Sequence, residues 1–286
     1  MSSVSPPAEL SNREQIEFWN GIAAERWLRG QELMDRALHP FGLAAIERLA
    51  PAAGEAIVDV GCGSGHTLLQ LAERVGSTGR VLGVDPSRPL LARARERARQ
   101  LPQVELCEGD AASVGLRGPL HGLFSRFGVM FFADPVQAFS ALRAQLEPSA
   151  RLSFACWQPL EENPWSALPL SVACSVLAEA PVLPDPTAPG PFAFANPLRV
   201  KGVLRDAGWH HLEIEPFRTS VLIASDGAES AVDFIFRLGP LARLLADRTE
   251  EVRERVRQRL GEYFEPLVRE GRVELEGAAW LVSARA

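Results

Sequence analysis

Lysine is nearly missing from this chain: Lys201 is the only one among 30 basic residues, the rest being arginine. That bias follows the base composition of a genome and carries no message about partners. A positive balance is missing too, since 36 acidic residues leave a formal net charge of -6 and an isoelectric point near 5.5. Duplex and RNA binders present a basic face, so nucleic acid falls away as a partner. The four cysteines, Cys62, Cys107, Cys156 and Cys174, form no CxxC pair and read as reduced thiols. No HExxH, HxxxH or clustered Cys/His spacing occurs, and no metal is expected. The longest apolar stretch, about residues 167–180, is too short for a membrane span and contains Pro169. The first residues lack the basic and apolar regions of a secretory leader. A soluble, cytoplasmic protein with no membrane partner is expected; 47% apolar residues suffice for a sizeable core, and a homodimer stays open.

What is present begins with Val58-Asp59-Val60-Gly61-Cys62-Gly63-Ser64-Gly65, a buried-strand run that passes through alternate glycines into a helical pattern, Leu68-Leu69-Leu71-Ala72. Glycine allows sharp turns and close approach of a ligand. An ordinary strand-to-helix turn favours glycine as well, so the neighbours decide. Asp59 sits at the lip of the loop, Asp85 closes the next apolar run, and Asp110 follows the third. In an open α/β sheet ligands bind at the carboxyl ends of the strands, and an acidic residue about 20 positions past the glycines holds ribose hydroxyls. Asp85 suits that role. A pyrophosphate would meet repulsion from Asp59, whereas S-adenosylmethionine carries an ammonium and a sulfonium that a carboxylate attracts.

With Gly83-Val84-Asp85-Pro86-Ser87, Glu108-Gly109-Asp110-Ala111 and Ser125-Arg126-Phe127-Gly128-Val129-Met130-Phe131-Phe132 added in order, the chain resembles the class I S-adenosylmethionine-dependent methyltransferases. Within them it is similar to the small-molecule, ubiquinone-methyltransferase-like group, over about residues 13–160. The resemblance implies that Gly61, Gly63 and Gly65 wrap the methionine part, with Asp59 orienting its ammonium. Asp85, beside Pro86, would take the ribose hydroxyls, and Asp110 with the backbone of Ala111 would read the adenine edge. The main chain of Arg126, followed by Phe127, would face the methionine end, and S-adenosylhomocysteine would be the product. Leu120-His121 and Pro148-Ser149-Ala150 depart from the group's usual Phe-Asp and Pro-Gly-Gly, away from these contacts.

The expected fold is α/β and Rossmann-like: a mostly parallel seven-stranded sheet, helices on both faces and an added helical cap. Residues 1–10 read as a disordered tail and 11–286 as a single domain. Ser11-Asn12-Arg13-Glu14 matches a capping box, and an amphipathic helix is predicted to run to about Leu28. A second helix, Glu32 to Ala50, is predicted to break at His39-Pro40. Residues 11–50 form an N-terminal lid in which Trp19-Asn20-Gly21 or Trp27 would wall the transfer site, Trp27 being counted with the cofactor contacts. Residues 51–157 are the cofactor-binding core, with strands at 56–60, 80–84, 104–107, 122–127 and 151–157 and helices at 65–75, 87–100 and 135–146. Segments 158–195 and 226–270 are substrate-covering insertions, the second holding helices at about 228–245 and 249–269. Strands at 211–223 and 272–284 complete the sheet.

Phe131, Trp157 and Trp165 are the candidate substrate-binding residues, with Met130, Phe132, Phe192, Phe194, Phe234 and Phe236 as further lining. Each taken singly fits a hydrophobic core as well. Methyl transfer needs donor and acceptor aligned in a dry site rather than a covalent nucleophile. A hydroxyl or amine acceptor would need a base, but no catalytic residue is assigned: His66, His121, His210 and His211 read as structural or solvated, and His39 is notable only for lying in the lid segment. Three functions stand: methylation of a small apolar or aromatic molecule at O, N or C; non-catalytic adenosylmethionine binding; and an NAD(P)-dependent oxidoreductase.

Overall fold

Seven strands pair into one sheet among the residues that a computed structural model describes, 12–180, 185–237, 239–245 and 247–286. They are β1 (Ala56–Val60), β2 (Arg80–Asp85), β3 (Val104–Glu108), β4 (Gly122–Arg126), β5 (Arg151–Trp157), β6 (His210–Ala224) and β7 (Val273–Arg285). Their order is β3-β2-β1-β4-β5-β7-β6, with β1 to β5 parallel and β7 antiparallel to both its neighbours. The helices α1 (Asn12–Asn20), α2 (Ile22–Arg29) and α3 (Gln31–Leu49) precede the sheet, and α4 (His66–Val75), α5 (Arg88–Ala98) and α6 (Pro135–Arg143) join the parallel strands. After β5 come α7 (Pro164–Leu177) and α8 (Pro197–Asp206), and between β6 and β7 come α9 (Ala228–Arg237), α10 (Gly239–Leu244) and α11 (Glu250–Phe264).

Every residue of β1 is buried, as expected for a parallel strand covered on both faces. Chain direction reverses about it: β1 leads outward to β2 and β3, then the chain returns to place β4 on its other side. A crevice opens at such a switch point. Pro216, which cannot donate to a ladder, is tolerated because β6 is an edge strand.

Two predicted helix boundaries are corrected. The amphipathic helix to Leu28 is two helices, because Gly21 leaves the helical region at φ -109°, ψ -127° and turns the chain. The break at His39-Pro40 does not occur, since α3 runs through Pro40 to Leu49. An interior proline costs about 3 kcal/mol. Against it, Leu38, Phe41, Ala45, Ile46 and Leu49 are all buried where α3 crosses β4, β5, β6 and β7, and each large side chain gives about 1.5–3 kcal/mol. Packing outweighs propensity here.

The strands otherwise fall within about two residues of expectation. The predicted helix at 228–245 is α9 and α10, and that at 249–269 is α11 followed by a 3-10 turn, Glu265–Leu267. The terminal tail, the Ser11 cap and residues 181–184 of the proline-rich loop lie outside the described residues. Among the described residues no helix is long and apolar enough to cross a membrane, and no group of three or more His, Cys, Asp or Glu is placed to hold a metal ion. The four cysteines are free.

Candidate functional site

The crevice is floored by the loop after β1. Gly61 has φ +73°, and a Cβ there would lie 2.8 Å from the Cα of Gly128, which follows β4. Only glycine lets the two strand ends meet so closely. Ser125 ties the same ends together, donating its hydroxyl to the Val60 carbonyl at 2.7 Å and accepting from the Gly128 amide at 3.2 Å. Phe127 between them is a non-glycine residue at φ +60°, a strained conformation held by its surroundings.

Four of the loop amides are already used. Those of Gly61 and Cys62 donate to the Val84 carbonyl, that of Gly65 to the Cys62 carbonyl, and that of Gly63 to Asp85 Oδ2 at 2.8 Å. A pyrophosphate needs such donors free. Asp85 Oδ1 accepts from the Ser87 amide at 2.8 Å. Each carboxylate oxygen thus keeps one acceptor position for hydroxyls, as a ribose requires. Burial pushes the Asp85 carboxyl up to about 6, against the lowering effect of its two amide donors.

Asp59 is fully buried, with Oδ2 accepting from the Thr67 hydroxyl at 2.5 Å and Oδ1 left without a partner. Burial raises its carboxyl to about 7, Thr67 and Arg126 pull it down, and Asp85 adds to the rise. An orphaned carboxylate oxygen in a dry cleft is satisfied by a cationic ligand. The same burial drives the Cys62 thiol well above its ordinary range, so it is inert packing. Asp110 Oδ1 accepts from the Ala112 amide at 2.9 Å, and Ala111 is buried beside it.

Arg126 brings more than its main chain. Its side chain is buried against Asp35 of α3, a residue passed over in the sequence. Asp35 Oδ2 pairs with Arg97 of α5 at 2.8 Å, and His66 Nδ1 lies 3.5 Å from it. His66 Nε2 is 3.3 Å from His39 Nδ1, which also meets Gln70 at 3.0 Å. Burial would raise the Asp35 carboxyl, but His66, Arg97 and Arg126 together hold it below the ordinary carboxylate range. Burial, with His66 and Arg126, lowers His39. His39 and His66 therefore belong to one half-buried charge network. A signal existed: Asp35 shares the apolar face of its helix with Leu38 and Gly42.

The N-terminal helices span the crevice. Asn20 donates to the Pro86 carbonyl at 2.9 Å and accepts from the Arg88 amide at 3.0 Å, fastening α1 to the turn after β2. Trp19 meets Phe131 edge-on at 5.3 Å, on the turn after β4, and Trp27 packs on Trp19 with its indole Nε1 buried and unpartnered.

On the other side of β4 the residues are aromatic. Phe127 stacks on Trp157 at 4.1 Å, Phe41 lies edge-on to both, and Trp165 is tilted against Trp157 at 5.1 Å. Trp157 is only 5% exposed, so the stack serves as core as well as wall. Phe194 and Phe234 are buried too, and Phe194 packs on Phe139 and Phe154. Asn163, read from the sequence only as the opening of a helical run, locks the segment after β5: Oδ1 accepts from the Ala278 amide and the Trp165 indole, and Nδ2 donates to the carbonyls of Gln158 and Pro159.

Residues 57–149 match the family model described as a methyltransferase domain. The chain is 32% identical over 118 residues to the aklanonic acid methyltransferase DauC of Streptomyces sp. (strain C5), covering 40% of this chain and 54% of that protein. It is 29% identical over 210 residues to the nocamycin O-methyltransferase of Saccharothrix syringae, covering 70% and 74%. For most of the curated relatives it matches, the chain spans about half their length or less. In fold it is similar to a candidate methyltransferase from Bacillus halodurans C-125, with TM-score 0.54, 17% identity and coverage of 85% of this chain and 97% of that one.

Proposed function

We propose that this chain, whose residues 57–149 match a methyltransferase-domain model, is a class I S-adenosylmethionine-dependent methyltransferase that methylates a small apolar or aromatic molecule at O, N or C. The observation that carries the reading is the pairing of an occupied glycine loop with an orphaned buried carboxylate. The amides of Gly61, Cys62, Gly63 and Gly65 are used internally, and Asp59 Oδ1 is unmet. That combination suits a cationic nucleoside and disfavours the pyrophosphate of NAD(P). The residues thus fit S-adenosylmethionine: Asp85 for the ribose hydroxyls, Asp59 for the ammonium, Asp110 and Ala111 for the adenine. When bound, the cofactor supplies an electrophilic methyl group on a sulfonium.

The chain's own contribution is placement and dryness. Trp19 and Trp27 cover the crevice from α1 and α2, and Asn20 holds that cover at the turn after β2. Phe131, Trp157 and Trp165, with the segments 158–195 and 226–270 above them, would line the acceptor side and exclude water. Holding an acceptor at about 3–3.5 Å from the methyl carbon is the main catalytic act required. Two relatives are named for small acceptors, aklanonic acid and nocamycin, which supports the same substrate class.

A radiolabelled methyl-transfer screen over quinones, phenols, amines and peptides tests the proposal. Labelled small-molecule product is expected. Tight S-adenosylhomocysteine binding with no product from any class would favour a non-catalytic binder, and binding of NADH alone would overturn the cofactor assignment.

A further inference from the structure

Arg126 ends β4 with a side chain that is only 9% accessible. To lie there its stem crosses α3 at Gly42, where a Cβ would stand 3.0 Å from the arginine Cδ. A glycine inside a helix is less favourable than alanine, so α3 is weakened where the arginine passes. At the far end the guanidinium is under-used. Its Nη1 has no hydrogen-bond partner, and its Nη2 is 4.0 Å from Asp35 Oδ1, beyond hydrogen-bond reach.

The acids around it are committed elsewhere or are themselves incomplete. Asp35 gives Oδ2 to Arg97 and to Gln31, and its Oδ1 has no partner. Asp59 gives Oδ2 to Thr67 and keeps Oδ1 unmet. A buried donor without a partner is costly, and a charged one more so. A guanidinium nitrogen lacking an acceptor and a carboxylate oxygen lacking a donor are thus both buried beside the glycine loop, on side chains within electrostatic reach of each other. Their natural complement is a group carrying both charges, an α-amino acid zwitterion.

We propose that the guanidinium of Arg126 is a specificity-determining contact for the amino-acid end of the cofactor: it takes the α-carboxylate while Asp59 takes the ammonium. This rests on the methyltransferase reading, and it gives the arginine side chain a role where the family resemblance implied only its main chain. The site then discriminates between adenosyl thioethers that keep the carboxylate and those that have lost it, with Gly42 as the residue that makes room. A charge-assisted hydrogen bond contributes about 1.5–3 kcal/mol, or about 10–100-fold in affinity.

The test is calorimetric titration of the full chain with S-adenosylhomocysteine and with its decarboxylated analogue, which keeps the ammonium. The wild-type chain is expected to prefer the carboxylate-bearing ligand by about 10–100-fold. In Arg126→Gln that preference should fall to about threefold or less, with affinity for the decarboxylated analogue held within about threefold of wild type. Gly42→Ala, which leaves the arginine but crowds its stem, should erode the preference in part, and it supplies the measurement if Arg126→Gln does not fold. A preference unchanged in both variants overturns the assignment, as does equal loss of both ligands in a folded Arg126→Gln. Failure of the wild-type chain to bind either ligand overturns the methyltransferase reading together with the inference.

Discussion

The two sides of the crevice meet where Gly61 touches Gly128, yet they are built from opposite materials. On the β1–β2 side the side chains that matter are short and charged, and single hydrogen bonds position them: Asp85 is pinned by the amides of Gly63 and Ser87, and Asp59 by the Thr67 hydroxyl. On the β4–β5 side they are large and apolar, and they position one another, with Phe41, Phe127, Trp157 and Trp165 in a single aromatic stack. Polar groups placed by single hydrogen bonds can be changed with local loss of binding. An interlocked stack cannot be changed without loss of stability in the fold around it. Cofactor recognition and acceptor specificity should therefore respond differently to substitution.

The largest effect is expected on the aromatic side. Trp157→Ala removes a nearly buried indole that touches three rings, and Trp-to-Ala changes in cores cost about 3–5 kcal/mol. Thermal unfolding should show a fall in Tm of about 6–15 °C. Below the transition, S-adenosylhomocysteine affinity should stay within about threefold, since a kilocalorie at most separates such values. A stable variant that lost only acceptor turnover would make Trp157 a wall and no part of the core, and the contrast between the two sides would collapse.

That contrast also governs what was legible beforehand. The polar side is local in sequence: Asp59 and the glycines lie within seven residues, and Asp85 and Asp110 each end a recognisable apolar run, so strand ends and ligand-facing acids could be read together. The parallel strands were legible for the same reason, since buried strands are short apolar runs bounded by turns. Helix α3 was misread because Pro40 is a local signal and the burial of Phe41, Ile46 and Leu49 is not. The network of Asp35, His39, His66, Arg97 and Arg126 joins four elements that no spacing connects, and its one trace was an aspartate on an apolar helix face. The stack of Phe127 on Trp157 depends on β4 lying beside β5.

A middle-sized effect separates the sides by pH, because only one carries titrating groups in the cleft. The folded chain holds the Asp59 carboxyl at about 7, well above its ordinary 3.8. Between those values the folded, ligand-free protein keeps a proton that the unfolded chain has released. Stability is therefore highest below pH 4 as far as this group is concerned, and it declines as pH rises toward 7, by up to about 1.4 kcal/mol per pH unit. A cationic ligand needs the ionised form, so affinity for S-adenosylhomocysteine should rise over the same window, by up to about tenfold per unit, and level off above it. Asp85, at about 6, steepens the lower part. Calorimetry in buffers of different ionisation enthalpy at pH 6 should register proton release on binding, and Asp59→Asn should remove most of it. An affinity flat from pH 5.5 to 7 would mean that Asp59 takes no part.

The smallest expected effect tests how the two sides are bridged. Two anchors hold the N-terminal helices across the crevice: Asn20 on the backbone after β2, and Trp19 on Phe131 after β4. The first belongs to the polar side and uses backbone, the second to the aromatic side and uses packing. Asn20→Ala deletes three hydrogen bonds at an exposed to half-buried site, two to the turn after β2 and one to the Ile16 carbonyl within α1, about 1 kcal/mol in all once water replaces them. Because the contact joins a cover to the core and not two parts of the core, the loss should fall on the closed state alone. Dissociation of S-adenosylhomocysteine, followed by stopped-flow fluorescence of Trp19 and Trp27, should quicken about three- to tenfold. The midpoint of global unfolding should move by no more than about 2 °C. An unchanged dissociation rate would show that α1 and α2 stand aside from the ligand's path, leaving Trp19 and Phe131 as ordinary packing. A faster rate would instead make a bond on the polar side the latch for a cover whose weight rests on the aromatic one.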